Sequence, residues 1–218
     1  MTRNVVVVAP HPDDETLGCG GTLLRHMEAG DKITWMIMTS MHLEHYTASQ
    51  IRDRDHEIAA VARAYGCRIV RLDYPAGQLD EQATRSCVDE LRKYFTHLDP
   101  GVVYAPYWGD AHNDHTFTQA HVAIALKQFP RVGLRLYETP SETEYASLLG
   151  ESPFTPNLYV DITSYMDQKI DIMKYYQSEI PMTDKLRSVE LVVARNRMHG
   201  AMIGSGYAEA FMLLRDVL

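Results

Sequence analysis

Residues Asn4–Ala9 (NVVVVA) leave few options open. The run is apolar without alternation, and Pro10-His11-Pro12-Asp13-Asp14-Glu15 follows it at once. A strand that is apolar on both faces must be covered on both faces. That is the condition of an interior strand in a parallel sheet flanked by helices. Four titratable groups directly after such a strand are costly to desolvate, and the carboxyl edge of a parallel sheet is where ligands bind.

The rest of the chain repeats this grammar. Ile33–Thr39, Arg68–Leu72, Gly101–Ala105, Leu134–Glu138 and Leu158–Ile162 read as further strands. Helical spacing marks Thr16–Ala29, Gln50–Tyr65, Asp80–Leu98, His115–Gln128, Ser164–Gln177, Asp184–His199 and Ala208–Val217. Gly30 and Gly66 stand where helices often stop, and Ser164 with Asp167 resembles a capping box. The expected fold class is α/β, a Rossmann-like doubly wound, mostly parallel sheet with helices on both faces. One domain over residues 1–218 is expected, with the proline-bearing stretch Pro140–Pro156 as a surface loop or lid.

Composition narrows the function. The 218 residues are 45% hydrophobic and 23% charged, which excludes a disordered or fibrous chain. No apolar run approaches the ~18 residues of a membrane helix, so no membrane span is expected. The apolar N-terminal run is too short for a signal peptide, and no export is expected. A net charge of −8 provides no footprint for nucleic acid. Cys19, Cys67 and Cys87 read as reduced thiols, which fits a cytoplasmic protein. Homo-oligomerisation is compatible with all of this.

Two motifs carry chemistry. His11 and Asp14, three apart in a turn, can reach one ion, leaving Asp13 to hold a water. His112-Asn113-Asp114-His115 follows the fourth strand and opens a helix. First and fourth strands are often neighbours where a doubly wound sheet reverses, which would bring His11, Asp13, Asp14, His112 and His115 to one crevice. Two histidines and a carboxylate with an open position form a catalytic zinc pattern. The bland alternatives are a solvated Pro/Asp turn and a helix cap supplied by Asn113 or Asp114. Gly18–Gly21 is neither a dinucleotide fingerprint nor a Walker loop, and close helix packing explains it better. Cys19 within it reads as a small buried thiol.

Pro10–Glu15 with Gly18-Cys19-Gly20-Gly21-Thr22-Leu23 resembles the N-terminal signature of the PIG-L/LmbE-like family of zinc-dependent N-deacetylases. His112–His115 resembles that family's second motif. Tyr159–Thr163, Lys169, Tyr176-Gln177-Ser178 and Gly206–Phe211 extend the similarity through nearly the whole chain. The resemblance implies that His11, Asp14 and His115 ligate Zn2+, that Asp13 is the general base, and that His112 lies beside the developing oxyanion. The family often has proline where Asn113 stands, a departure that removes no ligand. The implied activity is removal of an N-acetyl or other N-acyl group from an amino sugar or its conjugate by a metal-activated water. Fe2+ or Co2+ fits the same donors.

Arg54 and Glu57 form either a solvated intrahelical pair or, as the resemblance implies for the arginine, part of a substrate-binding wall. Asp73 and Glu138 follow strands and are further substrate-binding candidates, with turn roles as the alternative. His42 and His45 read as surface residues, and Tyr207 and Glu209 as residues near the site. Two rival functions stand beside the deacetylase: an amidase acting on a thiol conjugate or other amide, and a non-catalytic sugar- or nucleotide-binding domain. Release of free amine from acetylated sugars against other amides separates the first. Ligand binding without turnover would mark the second.

Overall fold

The computed structural model describes residues 2–150, 152–178 and 187–217. A seven-stranded sheet runs in the order β3-β2-β1-β4-β5-β7-β6. Its strands are β1 (Asn4–Ala9), β2 (Lys32–Ser40), β3 (Arg68–Pro75), β4 (Val102–Pro106), β5 (Gly133–Tyr137), β6 (Leu158–Asp161) and β7 (Ala208–Arg215). The first five are parallel to one another, and β1 lies between β2 and β4. Its register sets Val5 against Ile33 on one side and Val102 on the other.

Alternate residues of β1 feed two cores, which is why the run needs no polar positions. Val5, Val7 and Ala9 pack with Leu23 and Leu24 of α1 (Asp14–Glu28) and with Ile58 and Val61 of α2 (Ala48–Tyr65). Val6 and Val8 pack on the opposite face with Val88, Leu91 and Phe95 of α3 (Thr84–Leu98) and Val122 of α4 (Asn113–Ala125). All four valines are at most 1% exposed, and at ~25 cal/mol per Å2 their burial is a main support of the fold. Trp35, Met36 and Met38 are buried in β2, as core strand residues should be.

Several expectations need correction. Ala208–Val217 is not a helix: Ala208–Arg215 is β7, antiparallel to both β5 and β6. Its Ala, Glu, Met and Leu favour helices locally, but the slot between β5 and β6 offers strand pairing and buries Ala208–Phe211. The stretch Ser164–Gln177 is shorter than expected, with a 3-10 turn at Thr163–Tyr165 and then α5 (Met166–Met173). Tyr165 caps α5 without a side-chain hydrogen bond, so the Ser164–Asp167 box does not form. A capping box does form at α2, where Thr47 and Gln50 bond reciprocally. In the expected helix Asp184–His199, residues 184–186 lie outside the described residues. The observed α6 (Val189–Ile203) starts after the Ser188 cap and ends at Gly204 in the left-handed conformation. Within Pro140–Pro156, Thr143–Leu149 forms a 3-10 helix.

Candidate metal centre

The carboxyl ends of β1 and β4 are neighbours, and each is followed by a loop that opens a helix. Asp14 starts α1 and Asn113 starts α4, so His11, Asp14, His112 and His115 converge from two adjacent turns. Ligand atoms of His11, Asp14 and His115 lie within 4.8 Å of one another. Asp14 Oδ2 is 3.5 Å from His11 Nδ1 and 3.4 Å from His115 Nε2. The same oxygen accepts the His11 backbone N–H at 2.9 Å.

Neighbouring carboxylates orient both rings. Asp110 accepts from His115 Nδ1 at 2.9 Å and receives the Thr143 hydroxyl at 2.6 Å. Asp114 lies 2.8 Å from His11 Nε2 and accepts the N–H groups of Gly77 and Leu79. Such outer partners fix ring orientation in metal sites. Burial opposes charge on every group here, yet the carboxylates raise His11 and hold His115 well above the usual histidine range. Burial likewise opposes ionisation of Asp14, and the two imidazoles still hold it well below the usual carboxylate range. The cluster is electrostatically prepared for positive charge.

Asp14 Oδ1 and His115 Nε2 are buried, and among the described residues neither has a hydrogen-bond partner. Leaving two such atoms unmatched costs ~1–3 kcal/mol each, and a cation between them would remove that cost. Two imidazoles and a carboxylate are donors suited to Zn2+ or a similar first-row ion. The residues therefore fit a metal.

Asp13 caps α1 with φ 133° and ψ −30°, a conformation that disfavours any residue with a Cβ. Strain of ~1–3 kcal/mol at such a position is characteristic of functional turns. Its carboxylate opens into the cavity described below. Burial and the Asp14 charge push Asp13 up, against the opposing Arg187. Arg187 Nη1 donates to Asp13 at 3.1 Å, and the same guanidinium reaches Ser141 Oγ at 2.7 Å and Glu142 at 3.2 Å. Glu15 lies wholly buried behind them, accepting Thr16, Tyr176 and the Asp13 N–H, and burial pushes it up to about 7.

His112 is the cap of α4: its Nδ1 accepts the Asp114 N–H at 3.1 Å, and Asn113, one of the two caps expected, accepts the same N–H through Oδ1 at 3.0 Å. The hydrogen of the neutral ring therefore sits on Nε2. Burial and the neighbouring His11 and His115 push His112 down to about 4.

A cavity of about 500 Å3 opens beside this cluster, and its lining includes His11, Asp13, His112, Arg54, Asp73 and Arg187. Arg54 is buried rather than solvated. It sits 3.6 Å from Glu57 and donates to the Pro12 carbonyl at 3.1 Å. Asp73 has φ 58° and accepts the Ser40 hydroxyl at 2.6 Å. Glu138 belongs elsewhere. It pairs with His199 and Arg195 at 2.6 Å each and lines a second cavity of about 400 Å3. It does follow a strand as expected, but β5 is one strand farther from β1, and α6 covers its end. His45 is exposed and His42 partly so, Tyr207 is partly buried in a side cluster, and Glu209 is buried against α1. Asp110 and Arg187 were not legible as site residues: Asp110 has no motif of its own, and Arg187 arrives from 174 residues beyond Asp13.

Comparisons with known proteins bear on the fold and the family. The chain is 24% identical to a diacetylchitobiose deacetylase of Thermococcus kodakarensis over an alignment of 242 residues, covering 99% of this chain and 84% of that protein. A crystal structure of the conserved protein TT1542 from Thermus thermophilus superposes with a TM-score of 0.80 at 28% identity, covering 100% and 97% of the two chains. A 4-carboxy-2-hydroxymuconate hydratase of Pseudomonas putida shares the fold at a TM-score of 0.74 and 17% identity, covering 100% and 98%. Fold alone therefore does not select the reaction. The PIG-L family model, described as GlcNAc-PI de-N-acetylase, matches residues 6–126, which contain both motifs and more than half of the chain. The chain belongs to the PIG-L family.

Proposed function

We propose that the chain is a metal-dependent hydrolase that removes an N-acetyl group from an amino sugar or its conjugate. His11, Asp14 and His115 hold the cation, and Zn2+ is the ion we assign. The observation that carries the reading is the meeting of these three ligand atoms within 4.8 Å, two of the residues bearing buried polar atoms that have no hydrogen-bond partner among the described residues. The family match and the diacetylchitobiose deacetylase relative support an acetylated amino sugar as the substrate class.

When bound, the cation would supply Lewis-acid charge that polarises an amide carbonyl and lowers the pKa of water at the site to ~7. Asp13 takes the proton of the attacking water as its oxygen bonds to the carbonyl carbon. His112 Nε2–H donates to the carbonyl oxygen as negative charge develops there. Its Nδ1 is engaged by the Asp114 N–H, so the ring donates a hydrogen bond without giving up a proton. Asp13 returns the proton to the nitrogen as the C–N bond breaks, releasing the free amine and acetic acid, which gives up its remaining proton to solvent as acetate. Arg54 and Asp73 line the cavity where hydroxyl groups of a sugar would lie and are assigned to substrate binding.

The test measures metal content beside amine release from diacetylchitobiose. Asp13→Ala is expected to retain the metal and lose turnover by at least ~100-fold. Full activity in a metallated variant would remove Asp13 as base. Undiminished activity after complete metal removal would overturn the reading as a whole.

A further inference from the structure

α1 is broken at Cys19, whose φ of −144° and ψ of 21° lie outside the helical region. In an unbroken helix the Leu17 carbonyl would accept from the Gly21 N–H four residues on. Here each of the two finds a charged partner. Lys169 Nζ donates to the Leu17 carbonyl at 3.0 Å. The Gly21 N–H donates to Glu209 Oε1 at 2.8 Å, and the Thr22 N–H to Oε2 at 2.7 Å. Lys169 and Glu209 then close on each other at 2.7 Å, and Asn196 Oδ1 accepts from Lys169 at 3.2 Å. An ion pair has been inserted into one helical hydrogen bond.

Both charged side chains are at most 1% exposed. A pair at that depth is weak evidence of stability, because desolvation can exceed the Coulombic gain and apolar residues can pack as well. Apolar residues cannot, however, satisfy a carbonyl and two N–H groups at a helix break. The pair also comes from the far end of the chain: Lys169 from α5, Glu209 from β7 and Asn196 from α6.

What the break leaves on its N-terminal side is the single turn Asp14–Gly18. Leu17 donates its N–H to the Asp13 carbonyl at 2.9 Å, while its own carbonyl is held by Lys169. We propose that the Lys169–Glu209 pair is a positioning device for the cation centre: seated in the broken Leu17–Gly21 bond, it fixes the turn that presents Asp14 to His11 and His115. Neither residue is among the ligand atoms that meet there, so both act through α1. The inference rests on the metal reading above.

The test strips the full-length protein and its Lys169→Met, Glu209→Gln and Asn196→Ala variants of metal and titrates each with Co2+. The readouts are the visible absorption spectrum of the bound ion and its affinity by chelator competition, with circular dichroism reporting the fold. Lys169→Met and Glu209→Gln are expected to lose about 10- to 100-fold in Co2+ affinity and to alter the spectrum at unchanged helix content. Asn196→Ala keeps both charges and is expected to show a smaller loss in the same direction. It decides the matter if the charge variants do not fold. Folded variants with the parent's spectrum and affinity would overturn the positioning role alone. A parent chain that binds no Co2+ would overturn the metal reading and this inference with it.

Discussion

His115 Nδ1 donates to Asp110 at 2.9 Å, so the ring turns its other nitrogen, Nε2, toward Asp14 at 3.4 Å. The imidazole is thus held by one carboxylate and aimed at another. Removing the first partner, with Asp110→Ala, is expected to weaken metal affinity by about 10- to 100-fold. Competition against a chromogenic chelator measures it. An affinity equal to the parent's would show that His115 is oriented by packing alone.

Metal removal should be visible in stability as well as in activity. A ligand that binds only the folded chain adds about 2.7 kcal/mol at 100 times its Kd. Apoprotein is therefore expected to melt lower than protein with excess Zn2+, in proportion to the logarithm of free metal. A Tm indifferent to Zn2+ would contradict a folded-state site.

Asp73 and Glu138 provide a paired test of the cavity assignment. Asp73→Ala is expected to raise KM for an acetylated disaccharide by roughly 10-fold, equivalent to ~1.4 kcal/mol of lost hydrogen bonding. Glu138→Gln faces the other cavity and is expected to leave KM within about 2-fold. Steady-state kinetics on both variants decides it, and the reverse pattern would exchange the two assignments.

The thiols should be inert in the folded state. Burial holds Cys19 well above the usual thiol range and pushes Cys67 and Cys87 up to about 12. A folded-state pKa that high leaves almost no thiolate at pH 8, and thiolate is the reactive form. Titration with a chromogenic disulfide is expected to be slow natively and to reach three thiols per chain on denaturation. Rapid native labelling of Cys19 would contradict its burial.

Gly21→Ala is expected to destabilise the fold by ~1–3 kcal/mol. An added Cβ would lie 2.7–2.8 Å from three side-chain carbons of Ile162, itself fully buried. Urea denaturation measures the change, and parental stability would mean that Ile162 yields.

The chain by itself determined whatever local pattern can encode. An apolar run without alternation dictated β1 and its two covered faces, and the motifs after β1 and β4 announced the residues that meet at the candidate metal centre. Their meeting required one step of topology, the adjacency of first and fourth strands. Tertiary structure alone decided the rest. Ala208–Arg215 reads as a helix until the edge of β5 recruits it as a strand, because pairing and burial outweigh a propensity worth tenths of a kcal/mol per residue. Asp110, Arg187 and the Lys169–Glu209 pair acquire roles only through contacts made when the chain closes on itself, several of them with partners far away in sequence. Glu138 shows the same limit from the other side: a strand edge can be read from sequence, whereas the cavity a side chain enters depends on the helix packed above it.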